Sequence, residues 1–346
     1  MNTLVTAADH EFMLEALALA KLGWGVTNPN PMVGAVIVKD GRIIGRGFHR
    51  KAGEAHAEIN AINNALNQGF DPSGATIYVT LEPCSTYGRT PPCTEAIIAN
   101  GFSRVVIGAL DPNPKHNGQA VELLRSRGIN VDYGVEGSAC AALNRPFFHW
   151  ITTGKPLVML KMAMTLDGSI AACNGDSKWV TGSDARKRVQ QLRRLSDAVI
   201  VGANTVRCDH PQLTVREPES WARQPLRIVA SSSFTEAELA EYFPDGNAMI
   251  ANLDSDAAWE EFLLALGARK MTAVLLEGGG SFAGNALRAG VVDYVEFHIA
   301  PKLLCGQGRP VVGGEGREFM SQAIKLFDTK VDRCGEDIVV SGYLKE

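Results

Sequence analysis

Three side chains able to hold a metal ion constrain this chain more than any other feature: His56, Cys84 and Cys93. They lie far apart in sequence, so only tertiary folding can bring them to one ion. Zinc held by three protein ligands keeps its fourth tetrahedral position for water, whereas a closed structural site usually takes four protein ligands. Glu58 follows His56 by two residues and offers a carboxylate to move protons beside such a metal. After His56, alanines with Ile59, Ile62 and Leu66 recur at helical spacing, so His56 and Glu58 fall in the first turn of a helix. Residues 75–81, before Cys84, read as a buried strand rich in β-branched and aromatic residues. Cys93 opens a second helix that runs from Thr94 to Ala99 and stops at Asn100-Gly101. Two helix N-termini then face one metal, where their partial positive charge favours thiolate and carboxylate. A structural zinc site, or a pair of buried thiols, is the blander alternative.

Bulk composition narrows the class. The length of 346 residues suits two domains, and 45% hydrophobic with 21% charged residues describes an ordinary soluble protein. A net charge of −4 without any lysine/arginine block argues against a nucleic-acid groove or a basic membrane surface. Seven scattered cysteines suit a reducing cytoplasm better than a disulfide framework. No apolar run is long enough to span a bilayer, and the N-terminus shows no basic segment followed by an apolar core. The expectation is a cytoplasmic protein with neither nucleic-acid nor membrane partner.

In chain order, residues 6–22 read as an amphipathic helix and 27–34 as a loop stiffened by two prolines. Residues 35–38 and 43–49 form a hairpin turning at Asp40-Gly41, and 104–109 are a further core strand ahead of Asp111-Pro112-Asn113-Pro114. A helix over 121–127 and a short strand over 131–133 complete a first α/β unit. The proline- and aromatic-rich segment 143–156 reads as the junction, which places the domains at 1–146 and 147–346. Strands follow at 157–164, 198–202, 226–230, 272–277, 294–300 and 338–344, with a helix over 183–194. The glycine run that follows Glu277 and leads into a helix could cradle a pyrophosphate, although it lacks the Rossmann spacing.

His56-Ala57-Glu58 with Glu82-Pro83-Cys84 and Cys93 resembles the zinc nucleobase deaminases, in which His and two Cys hold zinc and the glutamate shuttles protons without binding it. Common members place two residues between the cysteines; here Ser85 to Pro92 intervene. Together with Thr27-Asn28-Pro29-Asn30-Pro31, Gly88-Arg89-Thr90-Pro91-Pro92-Cys93 and Asp111-Pro112-Asn113-Pro114, that longer loop is similar to the pyrimidine deaminase of riboflavin biosynthesis. The resemblance implies Arg89 on the substrate phosphate and Asn28, His49, Asp111 and Asn113 on base and sugar. The chain departs from many members at Asn60 and Thr86, where they carry histidine.

The second half resembles the reductase of the same pathway, on Lys161 to Gly168, Ser177 to Thr181, Thr205 to Arg216 and Glu277 to Asn285. It departs at Asp209-His210, where the pattern usually has two acids. This likeness implies NADPH held by Ala163, Trp179, Thr205, Asp209, Ser232 and the loop Gly279, Gly280, Ser281, Phe282, Ala283, Gly284 and Asn285. It further implies substrate held by Lys161, Ser177, Arg193, Leu213, Arg216 and Glu277, with the two arginines on its phosphate. The combined expectation is an α/β protein in two domains: an α/β/α cytidine-deaminase-like zinc domain, then a dihydrofolate-reductase-like domain with a mixed central sheet. It would bind one Zn²⁺ per chain and NADPH. It would deaminate a diaminopyrimidine ribosyl phosphate, reduce the ribosyl group to ribityl, and dimerise through the reductase domain. A nucleic-acid-editing deaminase and a non-catalytic zinc-stabilised binding protein are the alternatives from other classes.

Overall fold

Alternating aliphatic residues in the first half build one sheet that is covered on both faces. The computed structural model describes residues 5–87, 91–114, 116–306 and 308–345. The first-half elements are α1 (Ala7–Ala20), β1 (Gly34–Lys39), β2 (Arg42–Phe48), α2 (Ala57–Asn67), β3 (Thr76–Leu81), α3 (Cys93–Ala99), β4 (Arg104–Ala109), α4 (Gln119–Ser126), β5 (Asn130–Tyr133), α5 (Gly137–Leu143) and α6 (Arg145–Thr153). The strands order as β2-β1-β3-β4-β5. β1 runs antiparallel to both neighbours, and β3, β4 and β5 are parallel. Asp40 and Gly41 both take positive φ, 51° and 72°, the backbone twist that a two-residue hairpin turn needs.

Side-chain alternation then separates two cores. Ala35, Ile37, Ile77, Val79, Val105 and Ile107 pack with Ala61 and Ile62 of α2, Ile97 of α3 and Leu124 of α4. The intervening Val36, Val38, Tyr78 and Val106 pack with Met13 and Leu17 of α1 and Cys140 of α5. The result is the expected α/β/α layering. Close approach requires glycine at two points. A Cβ on Gly34 would lie 2.0 Å from the Ala16 oxygen, and one on Gly47 would lie 2.3 Å from the backbone of both Ala57 and Ala61.

A buried ion pair pins α1. Thr6 and Asp9 form a capping box, and Asp9 also accepts from the Tyr78 hydroxyl at 2.7 Å and from Arg104 Nη1 at 2.6 Å. Burial alone would raise the Asp9 carboxyl, but Arg104 and Tyr78 hold it well below the usual carboxylate range.

The second-half elements are β6 (Leu157–Thr165), β7 (Ser169–Ala171), α7 (Ser183–Leu195), β8 (Ala198–Gly202), α8 (Ala203–Asp209), β9 (Leu226–Ala230), α9 (Glu236–Tyr242), β10 (Ala248–Ala251), α10 (Asp256–Ala268), β11 (Ala273–Glu277), α11 (Gly280–Arg288), β12 (Tyr294–Ala300), β13 (Arg309–Pro310), β14 (Phe327–Cys334) and β15 (Asp337–Tyr343). Eight strands order as β10-β9-β8-β11-β6-β12-β15-β14, and β13 pairs with β7 separately. Pairing is parallel from β10 to β12 and antiparallel at β15 and β14, so the sheet is mixed as expected. Val158, Leu160 and Met162 face a core with Trp259 and Leu263 of α10 and Ala283 and Ala286 of α11. Strand alternation sends Lys161 to the opposite face, where α7 lies.

The expected junction at 146/147 falls inside α6, and the chain divides into the units Met1–Thr153 and Gly154–Glu346. Pro146 reads as a breaker in sequence, but a proline in the first turn leaves no helical hydrogen bond unmade. Phe147 and Phe148 pack against the α1 side of the first unit, which answers where the aromatic cluster goes.

Gly47→Ala should therefore lower the stability of the first unit by about 3 kcal/mol, because the obstructing atoms are backbone and cannot rotate away. Thermal unfolding checks this; an unchanged Tm would mean that α2 shifts freely on β2.

Candidate active sites

The first site assembles where α2 and α3 begin. His56 is the N-cap of α2, and Cys93 is the first residue of α3. Cys84 follows β3, so one strand end and two helix starts supply the three ligands. His56 Nδ1 lies 3.6 Å from Cys84 Sγ and 3.3 Å from Cys93 Sγ, and all ligand atoms lie within 4.8 Å of one another. Zinc bonds of about 2.3 Å to sulfur and 2.0 Å to nitrogen at tetrahedral angles need separations near 3.5 Å, so the donor set fits that ion. The Cys84 thiol is drawn down to about 4, first by Cys93 and then by His56, and it accepts from the Cys93 backbone N–H at 3.2 Å. Thr94 caps the Cys84 carbonyl through its N–H at 3.2 Å.

Glu58 sits in the first turn of α2, 3% exposed, and it is not one of the clustered ligands. Burial pushes its carboxyl up from the ordinary value. His49 lies edge-on to His56, with ring centroids 5.4 Å apart. Its Nδ1 is 3.1 Å from the Ala55 oxygen, which can only accept, so Nδ1 carries the proton. Nε2 is then free to accept from the Asn30 amide at 3.1 Å. This second contact makes Asn30 a member of the site that the sequence singled out only as part of a motif.

Asn28 lies half-buried in the same loop as Asn30. Asp111 and Asn113 form a turn closed by Asn113 N–H to Asp111 Oδ1 at 2.9 Å. Glu82, 7% exposed, holds that loop: its carboxylate accepts from the backbone N–H groups of Asp111, Gly118 and Ala120 at 3.0–3.1 Å. Hydrogen bonds to a charged group contribute about 1.5–3 kcal/mol each, so Glu82 couples the metal loop firmly to the Asp111 loop. Asn60 donates to the Phe48 and Ala55 carbonyls, which makes it a brace for the end of β2. Arg89 lies outside the described residues.

The second site is a cleft of about 1300 Å³ at the ends of β6, β8, β9 and β11. It brings together Lys161, Ser177, Arg193, Leu213, Arg216 and Glu277, and also Ala163, Trp179, Thr205, Asp209, Gly279, Gly280, Ser281, Phe282 and Asn285. Ser232, Ala283 and Gly284 do not line it. Ala283 is fully buried in the core, and a Cβ on Gly284 would lie 1.9 Å from the Gly313 oxygen, so both lie on the packed side of α11. Around Ser232, it is Ser231 and Ser233 that border the cleft, and Ser231 Oγ accepts from the Ser233 and Phe234 N–H groups.

The glycine run has two jobs. Gly280 and Gly284 admit the chain around residues 310–313, since a Cβ on Gly280 would lie 2.1 Å from the Pro310 oxygen. Gly279 is the N-cap of α11 and gives no side-chain hydrogen bond to its first turn. Those N–H groups at the mouth of the cleft suit a phosphate-bearing cofactor. The cleft volume exceeds that of ordinary small-ligand pockets, which fits a dinucleotide and a substrate together.

Arg193 is not a free cation. Its Nε and Nη2 donate to the two Glu277 oxygens at 2.6 and 2.8 Å, and Nη1 donates to the Thr214 carbonyl. Burial would raise the Glu277 carboxyl, but Arg193 and then Lys161 hold it down. Arg216 is different: its Nη1 bonds Gln212 at 3.2 Å, and it enters no salt bridge among the described residues. Trp179 is 66% exposed under the Arg186 guanidinium, 4.8 Å from its ring centroid, so it is no core anchor. Helix α8 supplies Thr205 and Asp209, and β13 brings Arg309 to the rim; neither element was legible in the sequence.

Comparison with known proteins finds relatives for both units. Residues 6–109 match the family described as cytidine and deoxycytidylate deaminase zinc-binding region, and residues 156–340 match the RibD C-terminal domain. The riboflavin biosynthesis protein RibD of Actinobacillus pleuropneumoniae is 42% identical, over 98% of this chain and 96% of the relative. RibD of Escherichia coli K12 is 37% identical over 95% and 98%. Among solved structures, Acinetobacter baumannii RibD, form 1, superposes with a TM-score of 0.86 at 36% identity, covering 98% of this chain and 99% of that one. A Thermotoga maritima diaminohydroxyphosphoribosylaminopyrimidine deaminase/5-amino-6-(5-phosphoribosylamino)uracil reductase gives a TM-score of 0.86 at 38% identity, over 97% and 98%. No helix among the described residues is long and apolar enough to cross a membrane. With these matches running nearly end to end, the chain belongs to the RibD family of riboflavin-biosynthesis proteins, a zinc-binding deaminase unit followed by a RibD reductase unit.

Proposed function

We propose that the chain performs two consecutive steps of riboflavin biosynthesis. The first unit converts 2,5-diamino-6-(5-phosphoribosylamino)pyrimidin-4(3H)-one into 5-amino-6-(5-phosphoribosylamino)uracil, and the second reduces the ribosyl group to give 5-amino-6-(5-phosphoribitylamino)uracil. The observation that carries this reading is the His56, Cys84 and Cys93 cluster with the buried, non-ligating Glu58 beside it.

His56, Cys84 and Cys93 hold zinc, which when bound supplies a water activated at neutral pH. Glu58 would pass a proton from the attacking water to the exocyclic amino nitrogen, so that a C–O bond replaces the exocyclic C–N bond and ammonia leaves. Neutral His49, with its tautomer set by Ala55, and Asn28, Asp111 and Asn113 orient base and sugar, and Arg89 meets the phosphate. In the reductase, NADPH when bound would supply a hydride to the ribose C1′, while the C1′–O4′ bond breaks and the released ring oxygen takes a proton. Ala163, Trp179, Thr205, Asp209 and the start of α11 hold the cofactor; Lys161, Ser177, Leu213, Arg216 and Glu277 hold the substrate. Because Arg193 is clamped on Glu277, its part is to position that carboxylate, and the substrate phosphate falls chiefly to Arg216. A homodimer through the reductase unit and a cytoplasmic setting complete the reading. Exposed apolar side chains on the reductase unit, among them Leu303, Phe319, Met320 and Val331, support the dimer.

Glu58→Gln should lower ammonia release by at least about 10²-fold. Bound zinc, measured by elemental analysis, and NADPH affinity should persist; loss of the metal would make Glu58 a structural group. Arg216→Ala should raise the reductase KM about 10- to 100-fold with little change in the NADPH Kd. Equal weakening of both would remove Arg216 from the phosphate. With the diaminopyrimidine substrate and NADPH, ammonia released should match NADPH oxidised one to one, with oxidation lagging. Ammonia without oxidation would leave the second unit without its assigned reaction.

A further inference from the structure

Lys161 stands between two carboxylates that are clamped alike. Sheet register sets Glu277 of β11 beside Lys161 of β6, and Lys161 beside Glu296 of β12. Helix α7 reaches both acids with bidentate guanidinium groups. Arg193 takes Glu277, and Arg188 takes Glu296 through Nε to Oε1 at 2.8 Å and Nη2 to Oε2 at 3.1 Å. Glu296 is 2% exposed and also accepts from the Tyr294 hydroxyl at 3.1 Å. His298, fully buried, places Nε2 2.7 Å from Glu296 Oε1, and its Nδ1 has no partner. Since the carboxylate can only accept, that His298 nitrogen carries the proton.

Glu277 lines the reductase cleft, but Glu296, His298 and Arg188 do not. Glu296 therefore has no route to substrate except through its neighbour. Lys161 does line the cleft and enters no salt bridge among the described residues, so its ammonium is drawn towards both acids without being consumed by either. A cluster of this kind is expensive to bury, and apolar residues of similar volume would stabilise the sheet as well or better. We propose that Glu296 is a positioning residue for the reductase reaction, holding Lys161 as an ammonium directed into the cleft from the side opposite Glu277. This rests on the reading of the cleft as the reductase site.

Electrostatics point the same way. Burial pushes the Lys161 ammonium pKa down, while Glu277 and Glu296 oppose that effect. Glu296 itself is held at about 2, because His298 and Arg188 outweigh its burial. The groups facing Lys161 are Glu277 from β11, Arg193 from α7, Glu296 and His298 from β12, and Asp337 from β15, and Arg188 acts on it through Glu296, whose negative charge it offsets. Removing an anion from this set lowers the pKa of Lys161, and removing a cation raises it.

The test is the pH profile of reductase kcat/KM on the full-length chain, with NADPH and the deaminated phosphoribosylaminouracil as substrate. Glu296→Gln should move the alkaline limb to lower pH by about one unit, and Arg188→Gln should move it to higher pH. Glu296→Asp, which keeps the charge, should stay near the parent. NADPH affinity, which Glu296 and Arg188 do not serve because they do not line the cleft, reports that the reductase unit of each variant is folded. A purely structural cluster would lower Tm in both variants and shift neither limb; that result, or shifts of the same sign, overturns the proposal. If Glu296→Gln gives no soluble chain, the direction of the Arg188→Gln shift decides alone. Lys161→Gln separates this proposal from the reading beneath it. Full reductase activity in that variant would remove Lys161 from the site, whereas lost activity with an unmoved Glu296→Gln limb would sink Glu296 only.

Discussion

Two cysteine sulfurs and an imidazole nitrogen held a few ångströms apart in a largely buried site are the arrangement on which the deaminase unit depends. Two thiolates at that distance repel, and only a cation between them turns the cluster from a cost into a stabilising centre. The surrounding structure serves to keep them there. Gly47 lets the backbone of α2 lie against β2, which sets His56 and Glu58. The Thr94 N–H on the Cys84 carbonyl and the Cys93 N–H on Cys84 Sγ tie the two cysteines across their loop. Glu82 then fastens the Asp111 loop to the same strand end through three backbone N–H groups. Ligands, acid and the Asp111 loop thus form one mechanical unit rather than three neighbouring motifs.

The reductase unit solves a different problem with similar means. Its chemistry needs a cofactor and a substrate held side by side, and it places polar side chains at the ends of parallel strands where a cleft opens. Charged groups there are not left to solvent. Glu277 and Glu296 are each gripped by an arginine from α7, and Lys161 stands between them. Such buried pairs add little net stability, yet removing one partner is costly, so they make good fixed electrostatic scaffolding.

Much of this was legible in the sequence because the signals were local or carried by rare residue types. Strands of alternating aliphatics, a hairpin at Asp40-Gly41, a helix opened by Cys93 and the His56/Glu58 pair each announce themselves within a few residues. The junction misled for an equally local reason: Pro146 looks like a break, but it occupies the first turn of α6, where proline is tolerated. The glycine run was only half legible. Its flexibility suggested a phosphate cradle, whereas Gly280 and Gly284 are small because the chain around residues 310–313 presses on them.

What the sequence determined by itself is the chemistry available: which atoms can bind zinc, which carboxylate can shuttle a proton, and where strands and helices begin. Those properties reside in side-chain types and short-range periodicity. Tertiary structure alone decided which charges are spent on one another. Arg193 and Arg216 look equivalent along the chain, yet Arg193 is committed to Glu277 by a bidentate pair and Arg216 enters no salt bridge among the described residues. Likewise Glu296 and His298 sit in an ordinary-looking strand, and only sheet register sets Glu296 beside Lys161. Register and helix placement follow from burying whole faces at once, so no short stretch of sequence encodes them.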